Sequence, residues 1–180
     1  LGSVWGHGSY VAPDWSADWL HRETVALREI WAQQDFGRDF GDLQPEQQAV
    51  VQARTLAEMR RNTFDAASGT LRLSPARAQA VQQVADHYRA LFGDDAALDR
   101  LREQYAMQSG VLPNAEDRQA LAGFVFWSAW AAAADRPGEP GLSYTSNWPH
   151  EPLVGNTPTA GTGIWSIASV ILMIGAIAAM

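Results

Sequence analysis

Two glycines and a tyrosine stand close together near the start of the chain, in the stretch GHGSY over residues 6–10. Gly6 and Gly8 allow backbone conformations that other residues avoid, and they leave carbonyl oxygens uncovered. Tyr10 adds a phenol that can be satisfied at a wet interface. Oxygen atoms of this kind suit a hard cation or a cofactor contact, whereas a tight turn anchored by aromatic residues is the simpler interpretation. The residues alone leave both open.

The other residue types that could do chemistry form no recognised pattern. The histidines are His7, His21, His87 and His150. Because no two of them show the four-residue spacing and acidic companion of a helical zinc site, we expect none to be a metal ligand. No nucleophile elbow, phosphate-binding loop or dinucleotide fingerprint occurs. The adjacent Asp94 and Asp95 are better explained as the start of a helix than as a catalytic pair.

Composition excludes several classes of protein. The chain has 180 residues, 20 acidic against 13 basic, and no cysteine. All the basic residues are arginines, and they form no stripe or run, so nucleic acid is not an expected partner. The lack of cysteine excludes disulfides, cysteine zinc sites, thiol nucleophiles and haem attached through a Cys-x-x-Cys-His sequence.

Apolar periodicity and helix-start residues predict an all-α domain of about five helices. The predicted helices run from a cap cluster at Asp14 and Ser16 to about Gln34, from Pro45 to about Asn62, from Ser74-Pro75 to the stop at Gly93, from about Asp95 to Gln108, and from a cap at Asn114. The fifth contains ALAGFVFWSAWAAAA, which is shorter than a membrane span and is predicted to be the central core helix. Between the second and third helices, FDAASGTLRL predicts a turn around Ser68-Gly69 and a short extended piece.

The last part of the chain divides into a strap and an apolar run. Five prolines and three glycines between Asp135 and Thr159 predict an extended, repeatedly broken backbone. Its apolar Trp148, Leu153 and Val154 indicate that it packs against the domain. Residues 161–180 carry no charge, and their length matches a membrane helix. We therefore expect a helical domain over 1–135, a strap over 136–160 and a transmembrane helix, truncated at its end, over 161–180.

Two segments resemble a known family. GSVWGHGSYVAPDWSADWLH near the start and GLSYTSNWPHEPLVGNTPT before the apolar run are similar to the segments that bracket the extracytoplasmic domain of quinol-dependent nitric oxide reductases. The resemblance implies a cytochrome c-like helical fold without haem c. It also implies a single polypeptide in which this domain caps a membrane-embedded catalytic bundle on the periplasmic side of the bacterial inner membrane.

The resemblance implies further that the enzyme reduces two nitric oxide molecules to nitrous oxide and water, with haem b, haem b3 and a non-haem iron held beyond this chain. The chain alone is then inactive. In cytochrome-bearing relatives a Gly-x-Gly-x-Tyr stretch follows Cys-x-x-Cys-His. Aligning Gly6, Gly8 and Tyr10 on it places Leu1 and Gly2 where the last cysteine and the axial histidine would stand. Gly8 and Tyr10 then correspond to calcium contacts beside haem propionates.

Two other functions stay open on the sequence. One is a degenerate electron-transfer module, against which the lack of cysteine counts. The other is a membrane-tethered sensor or ligand-binding domain with no redox role, whose ligand would occupy the tryptophan-rich core.

Overall fold

The computed structural model describes residues 2–5 and 12–179. In that part of the chain the α-helices are α1 (Trp15–Phe36), α2 (Pro45–Arg60), α3 (Pro75–Leu91), α4 (Asp99–Gln104), α5 (Ala115–Ala133) and α6 (Ala160–Ala178). The strands are β1 (Phe64–Asp65), β2 (Thr70–Leu71), β3 (Asp135–Arg136) and β4 (Glu139–Ser143). The predicted all-α, cytochrome c-like class is confirmed.

Side-chain caps start three of the long helices at the places where the sequence predicts them. Asp14, Ser74 and Asn114 each accept a hydrogen bond from a backbone N–H in the first turn of α1, α3 and α5. These bonds satisfy donors that would otherwise have no partner. Helix α1 ends at Gly37, whose φ of 64° is the left-handed conformation that glycine adopts without strain.

The fourth predicted helix, Asp95 to Gln108, is wrong in extent. A 3₁₀ turn over Ala96–Leu98, capped by Asp95, comes first, and α4 then covers only Asp99–Gln104. Ala106 has a φ of 49°, which an α-helix cannot contain, so the helix ends before it.

Two antiparallel hairpins occupy the segments predicted to be turns or extended chain. Strands β1 and β2 pair Phe64 with Leu71 around the Ser68-Gly69 turn. Strands β3 and β4 pair Arg136 with Glu139 across Pro137-Gly138. The strap therefore begins as a hairpin, which its prolines did not predict.

Helices α1, α3 and α5 enclose the core. Trp19, Leu20 and Leu27 of α1 are fully buried, as are Ala129 and Ala132 of α5. The small alanine side chains of α5 let its backbone lie close to the other helices. One face of α5 is thus part of the core, as predicted, whereas its opposite face is exposed.

Helix α6 differs from the others. Among the described residues it alone is long and apolar enough to cross a membrane, with 19 residues, a mean hydropathy of 1.9 and none of that stretch buried. At 1.5 Å per residue it is about 28 Å long, close to the hydrocarbon thickness of a bilayer.

Candidate functional site

The two ends of the opening loop, residues 6–11, are held together by a polar cluster. The carboxylate of Asp14 accepts hydrogen bonds from the hydroxyls of Ser3, at 2.9 Å, and Ser16, and from the N–H of Ala17, at 3.1 Å. The Trp5 N–H donates to the Ser16 hydroxyl at 3.1 Å. The Asp14 carboxylate therefore caps α1 and also holds residues 3–5, directly through Ser3 and through the Ser16 hydroxyl that bonds Trp5.

Gly2 lies too close to its neighbours to carry a side chain. A Cβ atom at Gly2 would lie 2.1 Å from the carbonyl oxygen of Pro13 and 2.6 Å from Nε1 of Trp15. The backbone N–H of Trp15 donates to the Ser3 carbonyl at 2.7 Å. This bond holds the start of the chain close to the start of α1. Only glycine fits at this position.

Trp5 connects the loop base to α5. Its indole N–H donates to the Ser128 carbonyl at 2.8 Å, and its side chain is 47% exposed. Trp5 has a φ of 51°, which is rare for a bulky residue. The indole bond and the N–H bond to Ser16 hold it in that conformation.

Aromatic side chains fill the space beneath the loop base. The Trp15 ring contacts those of Tyr88, Phe92 and Tyr105 edge-on, with centroids 6.0, 5.2 and 5.8 Å away. The Tyr88 hydroxyl donates to the Asp18 carboxylate at 3.0 Å or to the Trp15 carbonyl at 3.1 Å. Burial raises the pKa of Tyr88 far above its ordinary value, and the Asp18 charge raises it further, so the phenol stays neutral and remains a donor.

Residues 1–150 match the family model of the NorB cytochrome c-like domain of nitric oxide reductase. The chain belongs to this family. No curated protein matches the chain. The predicted relation to nitric oxide reductases is therefore confirmed at the level of the NorB cytochrome c-like domain.

A covalently attached haem c does not fit this member of the NorB cytochrome c-like domains. The sequence has no cysteine, and Gly2, which the family resemblance aligns with the axial histidine, has no room for a side chain. The cavity beside Trp15 and Tyr105 has a volume of about 220 Å³. That is below the ~300–1,000 Å³ of ordinary ligand sites. Trp15 and its aromatic neighbours occupy the interior instead.

Gly8 and Tyr10, the predicted calcium contacts of this nitric oxide reductase domain, lie outside the described residues, and so do Gly6 and His7. The described structure supplies the residues on either side of them, 2–5 and 12–17. Elsewhere in the described residues, no group of three or more His, Cys, Asp or Glu residues is placed to hold a metal ion.

The described histidines lie apart from the loop base of the reductase domain. His21 of α1 contacts the Glu151 carboxylate of the strap at 3.0 Å, whereas His150 lies in the strap and contacts the Asn156 carbonyl there at 2.7 Å. His87 borders an open cavity of about 350 Å³ between α1 and α3. Burial lowers the pKa of His87, as does the Arg22 charge, and Asp18 opposes them.

The strap is attached to the domain by Arg60 at the end of α2. The guanidinium of Arg60 lies 2.6 Å from the Asp135 carboxylate and donates to the amide oxygen of Asn156 at 3.1 Å and to the Val154 carbonyl at 3.3 Å. Asn156 in turn donates to the Ala132 carbonyl of α5 at 2.6 Å. Val154 is fully buried, which agrees with the predicted packing of the strap.

Sequence reasoning missed a buried ion pair in the reductase domain. Nε of Arg77 lies 2.7 Å from Oε1 of Glu23, and the Trp19 indole donates to the other carboxylate oxygen at 3.0 Å. Arg77 also donates to the Glu58 carbonyl at 3.1 Å. One signal was present in the sequence: Glu23 stands four residues after Trp19, on the apolar face of α1.

Proposed function

We propose that this chain is the non-catalytic extracytoplasmic domain of a quinol-dependent nitric oxide reductase and is fused to the catalytic bundle in one polypeptide. The observation that carries the proposal is the misfit of haem c at Gly2, together with the lack of cysteine. A domain that cannot hold haem c cannot pass electrons from a soluble donor to the catalytic haems. Quinol, which is dissolved in the membrane, can supply those electrons directly to the membrane-embedded part.

In this proposal the domain caps the catalytic bundle and holds the opening loop against it. Asp14, with Ser3 and Ser16, fixes the loop ends. Gly8 and Tyr10 then contribute two oxygen ligands to a calcium ion beside the haem propionates. Calcium takes six to eight oxygens, so the catalytic part supplies the others.

The proposed division of the chain follows from this role. Residues 1–135 form the cap on the periplasmic side, 136–160 form the strap, and 161–180 enter the inner membrane. The bonds from Arg60 and Asn156 support a strap that fixes the cap relative to the membrane helix.

The electron donor is tested in the complete enzyme. We expect turnover of nitric oxide with a soluble quinol analogue and none with reduced cytochrome c. Equal rates with both donors would contradict the proposal, because they would require an electron path through the domain.

The loop contact is tested separately with Tyr10→Phe in the complete enzyme. Loss of one bond to a charged group costs about 1.5–3 kcal/mol, so turnover is expected to fall about tenfold or more. Tyr105→Phe is the matched control, because Tyr105 packs edge-on against Trp15 beneath the loop base and is not among the proposed calcium contacts. Unchanged turnover and haem content in Tyr10→Phe would remove the role of the loop.

A further inference from the structure

The outer side of α5 carries an exposed aromatic surface, which we call the aromatic face. Its members are Phe64, Phe124, Trp127 and Tyr144, whose side chains are 40%, 58%, 41% and 43% exposed. The Trp127 ring lies 5.9 Å from that of Phe64 and 5.5 Å from that of Trp130. Trp130 lies beneath them and is 5.6 Å from Tyr144. The rings of Phe64, Trp127, Trp130 and Tyr144 therefore form one connected surface, and Phe124 lies one helical turn before Trp127 on α5.

The composition of the aromatic face suits the boundary between lipid and water. No charged residue occurs between Leu121 and Ala134 along α5. Tryptophan and tyrosine concentrate at the headgroup level of membranes, where their rings are in apolar surroundings and their polar ends remain hydrated. An exposed apolar patch of this kind marks a contact surface on an otherwise soluble domain.

The strap holds the aromatic face close to the start of α6. The Asn147 side chain donates to the Thr157 carbonyl at 3.2 Å and to the Gly141 carbonyl at 3.0 Å. Ala160, the first residue of α6, follows Thr157 by three positions, so the two residues lie at most about 11 Å apart. Tyr144 lies in the same turn of the strap, and its N–H donates to the Ala131 carbonyl of α5 at 3.1 Å.

We propose that the aromatic face lies in the headgroup layer of the bilayer that α6 crosses. Its occupant is lipid, because the short tether keeps the face next to the membrane and the proposed function assigns the contact with the catalytic part to the opening loop. The contact gives the domain a second attachment and so fixes its tilt above the membrane. The inference rests on the membrane-spanning role of α6 in the proposed function, and its test does not depend on the contact of the opening loop.

The experiment uses the natural lack of cysteine in this chain. A single cysteine that carries an environment-sensitive fluorophore is placed at Phe124→Cys, on the aromatic face, or at Val50→Cys on α2. Phe124 and Val50 are both 58% exposed, so they differ in position and not in accessibility. Val50 precedes Arg60 by ten residues, which places it about 15 Å along α2 from the strap contact. Ile171→Cys reports on α6.

The labelled chains are reconstituted in phosphatidylcholine vesicles that contain lipid with a nitroxide on the headgroup. Quenching by this lipid is expected to be about twofold at position 124 and negligible at position 50, because only the aromatic face lies at headgroup depth. Aqueous iodide is expected to give the reverse order.

Each other outcome overturns the inference in a different way. Equal behaviour at positions 124 and 50 would place the aromatic face in water. Protection of position 124 from both quenchers would mean that protein covers it. Exposure of position 171 to iodide would remove the spanning role of α6 and with it this inference. The quinol and Tyr10→Phe tests would be unaffected.

Discussion

Replacing Glu23 with glutamine is expected to lower the free energy of unfolding by about 3–5 kcal/mol. Glu23 is 0% exposed and Arg77 is 2% exposed, so neither charge is solvated. Glutamine keeps the shape and can still accept the bond from Trp19, but it leaves the Arg77 guanidinium buried without a counter-charge. A loss of this size is a large fraction of the total free energy of unfolding, which is about 5–15 kcal/mol for natural proteins.

Asp35→Asn is the matched control. Nη1 of Arg54 lies 2.7 Å from Oδ2 of Asp35, the same distance as the N–O contact of the buried pair. The side chains of Arg54 and Asp35 are 48% and 37% exposed, so water solvates the Arg54 charge that remains in Asp35→Asn. Exposed pairs contribute about 0–1 kcal/mol, and the expected cost of Asp35→Asn lies in that range.

Urea unfolding of the chain in detergent micelles, followed by tryptophan fluorescence, gives both free energies. The double variant Glu23→Gln with Arg77→Met is expected to recover most of the loss, because no unpaired charge stays buried and glutamine still accepts the bond from Trp19. Equal costs for Glu23→Gln and Asp35→Asn would refute the argument from burial. A double variant as unstable as Glu23→Gln would assign the loss to packing instead.

Two further predictions concern the strap and the half-buried His87. Arg60→Gln removes the ion pair to Asp135, and chymotryptic cleavage after Tyr144 in the strap is expected to rise about tenfold or more for a loss of about 1.4 kcal/mol or more. Unchanged cleavage would mean that Arg60 does not hold the strap. Burial lowers the pKa of His87 below its ordinary 6.5, so the unfolded chain binds more protons and stability falls as the pH drops from 6.5 to the lowered value. His87→Asn should flatten the pH dependence of the urea midpoint in that window, and an unchanged slope would contradict the burial argument.

Local signals predicted the helices well. Asp14, Ser74 and Asn114 cap helices because their side chains reach N–H groups only two or three residues away. The end of α4 at Gln104, just before Ala106, was not predictable in this way, because alanine ordinarily favours a helix. The positive φ of Ala106 lies in the turn that leads to Gly110, whose N–H donates to the Gly93 carbonyl at 2.7 Å.

The same contrast between local motifs and distant contacts applies to the candidate site. The stretch that contains Gly8 and Tyr10 was visible in the sequence because it is a compact motif. The Glu23–Arg77 pair joins residues 54 positions apart, and the Trp5–Ser128 bond joins residues 123 apart. No local pattern specifies such partners, since they depend on how the helices pack.

Helix α5 connects the two ends of the chain. The indole N–H of Trp5, near the start of the chain, donates to the Ser128 carbonyl. The side-chain amide of Asn156, in the strap, donates to the Ala132 carbonyl. These two carbonyls are four residues apart, which is about one turn on the same helix. A tilt of α6 that moved the strap would therefore act on the helix turn to which the opening loop is attached. The position of the loop over the catalytic part, in the proposed function, is then set by the same helix that carries the aromatic face.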